Sequence, residues 1–297
     1  MAWRGLHLSQ PARLSLRHGS LQVARQDHDT LSFPLEDLGW IILDTPEVTA
    51  TAAVMAACMQ NDVPLVISDA KHMPCGVLMP FHQHWQQAGI ARQQLAASGP
   101  LQKRLWQRII RCKLANQALT LDACQVKGGQ ALREMARHVG SGDPKNVEAR
   151  GARYYWGRLF VAFRRHDDTD VRNAMLNYGY AILRACIART LVASGLLPAF
   201  GVHHAGAANP FNLADDLLEV FRPVVDFRVH AISGLGQPAP GADLSLDDRR
   251  ELAAILAETV VINGEQLALQ PAVDRVVASL VRAMTGEGAD ALELPVV

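Results

Sequence analysis

Charge in excess of either sign is missing from this chain: 29 lysines and arginines face 29 aspartates and glutamates, a formal net charge of zero over 297 residues. That counts against a protein coating nucleic acid by overall positive charge, yet it leaves local basic patches open, because net charge does not report distribution. Cysteine is scarce too. The five present (Cys58, Cys75, Cys112, Cys124, Cys186) form no C-x-x-C pair. An odd count at irregular spacing argues against a disulfide framework or a zinc ribbon, and reads as reduced thiols, mostly core fillers, in a cytoplasmic protein. No apolar run approaches the roughly 20 residues of a membrane-spanning helix. The segment Met1-Ala2-Trp3-Arg4-Gly5-Leu6-His7 lacks the long apolar core of a secretory signal, so no membrane partner is expected. A G-x-x-x-x-G-K phosphate loop, internal repeats and low-complexity tracts are likewise absent.

What is present belongs to a folded globular chain, 49% hydrophobic and 20% charged. Its periodicity changes partway along. Leu14 and Leu16, then Leu21 and Val23, alternate around His18-Gly19-Ser20, the pattern of a hairpin. Trp40 to Leu43 and Val63 to Ile67 are apolar runs of strand length, separated by a helical stretch from Thr49 to Met59 that Asn61-Asp62 ends. Pro64 places the start of the second run at its own edge or leaves it paired on one side. After Pro74-Cys75-Gly76 and Pro80 the strand signal fades, and helical periods dominate, as in Val171, Met175, Tyr178, Ile182 and Ala185. Ser245 with Asp248 forms a capping signal after the loop Gly234–Gly241, and Gln270-Pro271 opens a last helix. The expected fold is α+β: a β-sandwich-like N-terminal domain with one helix (residues 1–78), a linker (79–90), a large all-helical catalytic domain (91–285) and a loose tail (286–297). The run Lys103, Arg104, Arg108, Arg111 and Lys113 lies beside the stripe Leu101, Leu105, Ile109 and Cys112, and reads as a solvated helix face.

Three stretches can be joined into one divalent-metal site: Glu148, His204, and the pair Asp216 and Glu219. Carboxylates with one imidazole make a hard, mostly oxygen shell that suits Mg²⁺ or Mn²⁺, and such a shell serves phosphodiester chemistry. Each residue has a plainer reading as well. Glu148 opens a helix whose inward stripe is Ala152, Tyr155 and Leu159, where an acid also suits the helix dipole. His203 and His204 follow Gly201 in a turn, where a histidine is often only structural. Asp216 and Glu219, three apart on a helix starting near Asn209-Pro210, can approach one ion or form a solvated acidic face. Arg222 can offset their repulsion as a cation would.

The words around these residues are more specific. Asn146-Val147-Glu148-Ala149-Arg150-Gly151-Ala152-Arg153-Tyr154-Tyr155-Trp156, Leu176-Asn177-Tyr178-Gly179-Tyr180, Gly201-Val202-His203-His204 and Phe211-Asn212-Leu213-Ala214-Asp215-Asp216-Leu217-Leu218-Glu219 occur in this order. They closely resemble the CRISPR-associated adaptation integrase, the endonuclease that inserts new spacers. Trp3-Arg4, Leu14-Ser15-Leu16 and Asp69-Ala70-Lys71-His72-Met73-Pro74-Cys75-Gly76 look like its type II variant. The resemblance runs from Trp3 to about Asp226 and thins after Gly234. One departure is Val220, where similar members carry proline; it is expected to relax the helix end without removing a ligand.

The resemblance implies metal ligation by Glu148, His204 and Glu219, with Asp216 close by as a further catalytic residue. It implies 3′-hydroxyl attack on phosphodiesters of double-stranded DNA, joining a prespacer to a CRISPR repeat. Arg153 and Arg158, and more weakly Arg164 and Arg165, are candidate DNA contacts, while Asn177 and Tyr178 read as packing. The implied assembly is a homodimer that joins a small ferredoxin-like adaptation protein, with the type II effector nuclease as a further partner; the β-domain is the expected dimer surface, since its apolar strands exceed what a small sandwich must bury. A metal-dependent DNA-repair nuclease acting on branched DNA, or a non-catalytic DNA-binding scaffold, are the alternatives.

Overall fold

The computed structural model describes residues 4–80, 84–234 and 243–297, so Trp3 and most of the Gly234–Gly241 loop lie outside the described residues. The chain is α+β, strands first and helices after, in two compact units, Met1–Gln83 and His84–Val297. Among the described residues no helix is long and apolar enough to cross a membrane.

The first unit contains β1 (Arg4–Leu8), β2 (Ala12–Arg17), β3 (Ser20–Ala24), β4 (Leu31–Pro34), β5 (Leu38–Leu43), β6 (Val48–Ala50), α1 (Ala52–Gln60), β7 (Leu65–Ser68) and β8 (Pro74–Leu78). They form two four-stranded sheets, ordered β1-β5-β7-β8 and β4-β3-β2-β6. The expected hairpin is β2–β3. Its register pairs Arg17 with Ser20, leaving His18 and Gly19 as a two-residue loop with φ of 49° and 76°. Positive φ at both positions is the type I′ turn, whose twist matches that of the strands. Leu14 and Leu21 thereby face inward with no exposure, each stabilising the fold by about 2 kcal/mol. Both sheets and α1 feed one core, through Leu8, Leu38, Ile41, Val54, Cys58 and Leu65 among others.

Two strands depart from expectation. Val48 and Thr49 are β-branched and pair in β6, so the helix starts only at Ala52, where the Thr51 hydroxyl accepts from Val54 N. β8 begins at Pro74, on the sheet edge where a missing N–H costs least. Pro64 lies just before β7, and its carbonyl accepts from Ile41 N at 3.0 Å.

The second unit holds α2 (Gln87–Leu95), α3 (Gly99–Ala123), α4 (Gly129–Arg137), α5 (Val147–Leu159), α6 (Val171–Ala193), α7 (Asn212–Ser233), α8 (Leu246–Ala253), β9 (Thr259–Ile262), β10 (Glu265–Ala268) and α9 (Leu269–Arg282). Ser245 and Asp248 cap α8 reciprocally. Helices alone do not complete this unit: Val260-Val261-Ile262-Asn263-Gly264 carries a strand and an Asn-Gly turn, with φ of 52° and 83°. The tail is not loose. Val261 and Val296 exchange backbone hydrogen bonds at 2.8 and 2.7 Å, Leu292 is buried, and Glu293 accepts from Arg275 and Arg282. Its short apolar residues supply anchors that composition concealed. The basic face of α3 is partly spent on internal contacts: Arg108 pairs with Asp290 of the tail at 3.0 Å, and Arg111 donates to the Val139 carbonyl just after α4. Val220 is also not at a helix end. It is buried in the middle of α7, where Asn116 of α3 donates to its carbonyl at 3.0 Å. Pro223, the next interruption, removes an N–H from the ladder.

Candidate catalytic cleft

The start of α5 is held from outside the helix. Asp143 accepts from Val147 N at 2.9 Å and from Glu148 N at 2.8 Å, satisfying amides the helix leaves open. Asn146 caps from a left-handed conformation, φ 48°. Glu148 therefore projects from a fixed first turn into a cleft of about 650 Å³, which Ala152 and Trp156 of the same helix also line.

α7 supplies the second acid. Glu219 is buried, and its Oε1 accepts from Arg222 Nε at 3.0 Å. Between the two acids stands Lys113 of α3, with Nζ 2.5 Å from Glu148 Oε1 and 2.5 Å from Glu219 Oε2. Burial by itself would push the Glu219 acid up, but Arg222 and Lys113 outweigh it and hold the group at about 2. It is a carboxylate at any ordinary pH. Beyond the ion pair with Lys113, Glu219 Oε2 is buried with no hydrogen-bond donor.

Asp216, three residues earlier on α7, does something else. It is fully buried. Its Oδ2 accepts from Val202 N at 2.6 Å and His203 N at 3.1 Å, and its Oδ1 from His204 N at 3.1 Å and His204 Nδ1 at 2.7 Å. Both oxygens are thus spent on the turn that carries His204, so Asp216 and Glu219 do not converge on one point. The close approach requires Gly201, since a Cβ there would lie 2.6 Å from Asp216 Oδ2 and nearer still to the His204 carbonyl. Trp106 completes the seat, with the His203 ring stacked on it at 4.0 Å and the His204 ring edge-on at 5.6 Å. The bond to Asp216, only partly opposed by burial, raises the pKa of His204 above its ordinary value.

A divalent ion fits the donor set in two respects. A single cation already bridges Glu148 and Glu219, so the acids are spaced for a shared positive centre. A histidine whose Nδ1 is tied to a carboxylate presents Nε2, the arrangement common at metal centres. His204 and the acid pair are nonetheless not yet gathered: among the described residues no three His, Cys, Asp or Glu side chains form a group ready to hold an ion.

Behind the acids lies a third buried carboxylate of α7, Asp226, which no sequence motif singled out. Tyr155 donates to its Oδ2 at 3.0 Å and Tyr180 to its Oδ1. Burial dominates here and lifts the acid to about 7. The Arg222 guanidinium lies 4.5 Å from the Tyr180 ring centre. Of the proposed DNA contacts, Arg165 lines the cleft. Arg153 and Arg158 do not: both are exposed, and Arg158 covers the Tyr154 ring at 5.0 Å. Arg164 is exposed as well. Tyr178 packs in the core, whereas Asn177 is a cleft residue that accepts from Arg165. Lys113 was hidden in a basic run. The signal for it was the row Lys113, Asn116, Gln117 and Thr120, polar residues recurring at helical spacing and all buried.

Comparison with known proteins bears on the family and the fold. The family described as CRISPR associated protein Cas1 matches residues 6–237. A CRISPR-associated endonuclease Cas1 from Neisseria meningitidis serogroup C (strain 8013) is 36% identical over 296 residues, 99% of this chain and 96% of that protein. Among solved structures, a casposase bound to integration product superposes with a TM-score of 0.77 at 19% identity, covering 96% of this chain and 91% of the other. A Cas1 protein from Thermotoga maritima gives 0.72 at 16% identity, covering 96% and 98%. A Cas6-RT-Cas1–Cas2 complex gives 0.74 at 18% identity, covering 98% of this chain and 36% of that one. With residues 6–237 matched by the family and a relative 36% identical over nearly its whole length, the chain belongs to the CRISPR-associated Cas1 family.

Proposed function

We propose that this protein is a divalent-metal-dependent DNA endonuclease and integrase that joins short DNA fragments, as new spacers, to a CRISPR repeat. Glu148, His204 and Glu219 would hold Mg²⁺ or Mn²⁺. The observation that carries this reading is the meeting of Glu148 and Glu219 on one cationic centre; His204, oriented by a buried carboxylate, is near enough to feel the Glu219 charge. The relative named an endonuclease and the fold shared with an integrating enzyme support it. In the reaction a fragment's 3′-hydroxyl oxygen bonds to phosphorus in the repeat while another P–O bond breaks, so bond types are conserved and no energy source is required. The ion, when bound, supplies acidification of that hydroxyl and stabilisation of charge on the phosphate.

The protein's own groups prepare this chemistry. Arg222 keeps Glu219 ionised inside a buried site, where a neutral acid would bind a cation poorly. Asp216 fixes the turn and the ring of His204 through its Nδ1, so Nε2 is the nitrogen left for an ion. Lys113 balances the charge of the two acids and prevents their mutual repulsion. Two ends of a fragment require two sites at a fixed separation, which a homodimer supplies. The β-rich unit is the proposed dimer surface, and a stable monomer at micromolar concentration in analytical ultracentrifugation would remove it. A small ferredoxin-like adaptation protein and the type II effector nuclease are the proposed further partners, the first in line with the fold's presence in a Cas1–Cas2 complex.

Incubation with a repeat-bearing plasmid, a short duplex and Mn²⁺ tests the proposal. Joined products are expected, and Glu148→Ala is expected to abolish them. Cut products without joining would favour a repair nuclease acting on branched DNA. Unchanged joining by Glu148→Ala would leave the chain a non-catalytic scaffold.

A further inference from the structure

Arg165 is held in the cleft in a manner unlike several other arginines of this unit. It lies in the segment between α5 and α6, with Nη1 donating to Asn173 Oδ1 at 3.0 Å and Nη2 to Asn177 Oδ1 at 2.8 Å. Its guanidinium carbon is 5.5 Å from the Tyr180 ring centre. Asn173 is almost completely buried, and its Nδ2 donates to the carbonyls of Arg164 at 2.7 Å and Asp167 at 2.9 Å. One amide therefore clamps the backbone on either side of Arg165 and steers the guanidinium. The Tyr180 ring is fixed in turn by Asp226.

Every one of these holding groups is neutral. Arg172 is paired with Asp170, Arg222 with Glu219 and Arg275 with Glu265, but among the described residues no carboxylate lies within ion-pair distance of Arg165. Asn173 has to be an amide, because its Nδ2 donates to two backbone carbonyls, but Asn177 only accepts, and an aspartate there would hold the guanidinium better, because a charge-assisted hydrogen bond is about twice as strong as a neutral one. Asparagine fixes the direction of the guanidinium and leaves its charge intact. Most of its N–H groups stay free in the cleft that Glu148, Glu219 and Lys113 line. Guanidinium pre-organised at low entropy cost is suited to phosphate oxygens.

We propose that Arg165 anchors a phosphate subsite in the catalytic cleft, taking a non-bridging oxygen of the DNA strand that enters it, and that Asn173 and Asn177 are its positioning residues. The inference rests on the reading of this cleft as a DNA-joining site and assigns one strand contact within it.

The test is binding of a short duplex with unpaired 3′ ends to the full-length protein in EDTA, by fluorescence anisotropy across a series of KCl concentrations. Arg165→Gln is expected to weaken binding about tenfold and to lower the slope of log K against log salt by about 1, the loss of one phosphate contact. Arg165→Lys should keep the slope and lose part of the affinity. Asn177→Asp is the decisive variant. Its new carboxylate neutralises Arg165, so binding should fall as in Arg165→Gln while the melting temperature holds or rises. Wild-type affinity and slope in both Arg165→Gln and Asn177→Asp would overturn the subsite and leave the integrase reading standing. Failure of the wild-type protein to bind DNA at all would overturn both.

Discussion

Glu219 and Asp226 lie two turns apart on the same helix, both buried, yet their acids are shifted in opposite directions. Glu219 is held at about 2 and Asp226 is raised to about 7. Burial penalises both. What differs is the company: Glu219 is in direct contact with an ammonium and a guanidinium, while Asp226 is in direct contact with two phenols and feels Arg222 and Arg165 only from farther off. Phenol hydrogen bonds favour the carboxylate but do not offset its desolvation, whereas two cations do. One helix thus carries a permanent anion for the cleft and, behind it, an acid near neutrality that fixes two tyrosines. Burial alone does not decide whether a carboxylate is charged.

The largest break in this comparison is Glu219→Gln. It strands Arg222 and weakens the hold on Lys113, costing about 3–5 kcal/mol by urea unfolding, and abolishes joining. Lys113→Met should be next. It leaves Glu148 facing Glu219 with no ammonium between them, destabilising the EDTA-treated protein by about 2–3 kcal/mol. Added Mn²⁺ should then raise the melting temperature more in this variant than in the wild type; an equal rise would show that the ammonium does not stand in the ion's place.

The two acids also predict opposite limbs in stability against pH. Glu219 has a folded value below its unfolded one, so its contribution is present above about 4.5 and is lost as pH falls toward 2. Asp226 has a folded value above its unfolded one. As pH rises from about 4 to 7 the unfolded chain releases this proton first, and stability declines by a few kcal/mol, on the order of that shift. Asp226→Asn should flatten the descending limb and Glu219→Gln the acid limb, read from unfolding free energies at several pH values. The smallest effect belongs to Tyr180→Phe. Losing one phenol raises the Asp226 acid further and costs about 1 kcal/mol; an unchanged profile would show that Tyr180 does not support the carboxylate.

Much of the frame was legible in the linear chain. The β2–β3 hairpin, α1, the cap of α8 and the change from strand to helix follow from alternation, turn residues and helical period, which are local properties. The hairpin at Asn263-Gly264 was equally local but lay inside a stretch dominated by helical signals. The tail could not be read, because its order comes from Arg108, Asn116 and Val261, all remote in sequence. Glu148, His204 and Glu219 were found through words that resemble a family, whereas spacing alone left a plain alternative for each. Asp216, read in the sequence as close by the ligands, is in the structure the anchor of the His204 turn, a role set by Gly201 and its neighbours.

By itself the order of residues determined which segments become strands or helices and which family the chain resembles, since those depend on near neighbours. Only the folded arrangement decided which charges meet. It put Lys113 between two acids, left Arg165 with neutral partners and made Asp226 a near-neutral acid, because charge state and pairing depend on distances and burial that no short stretch of chain encodes.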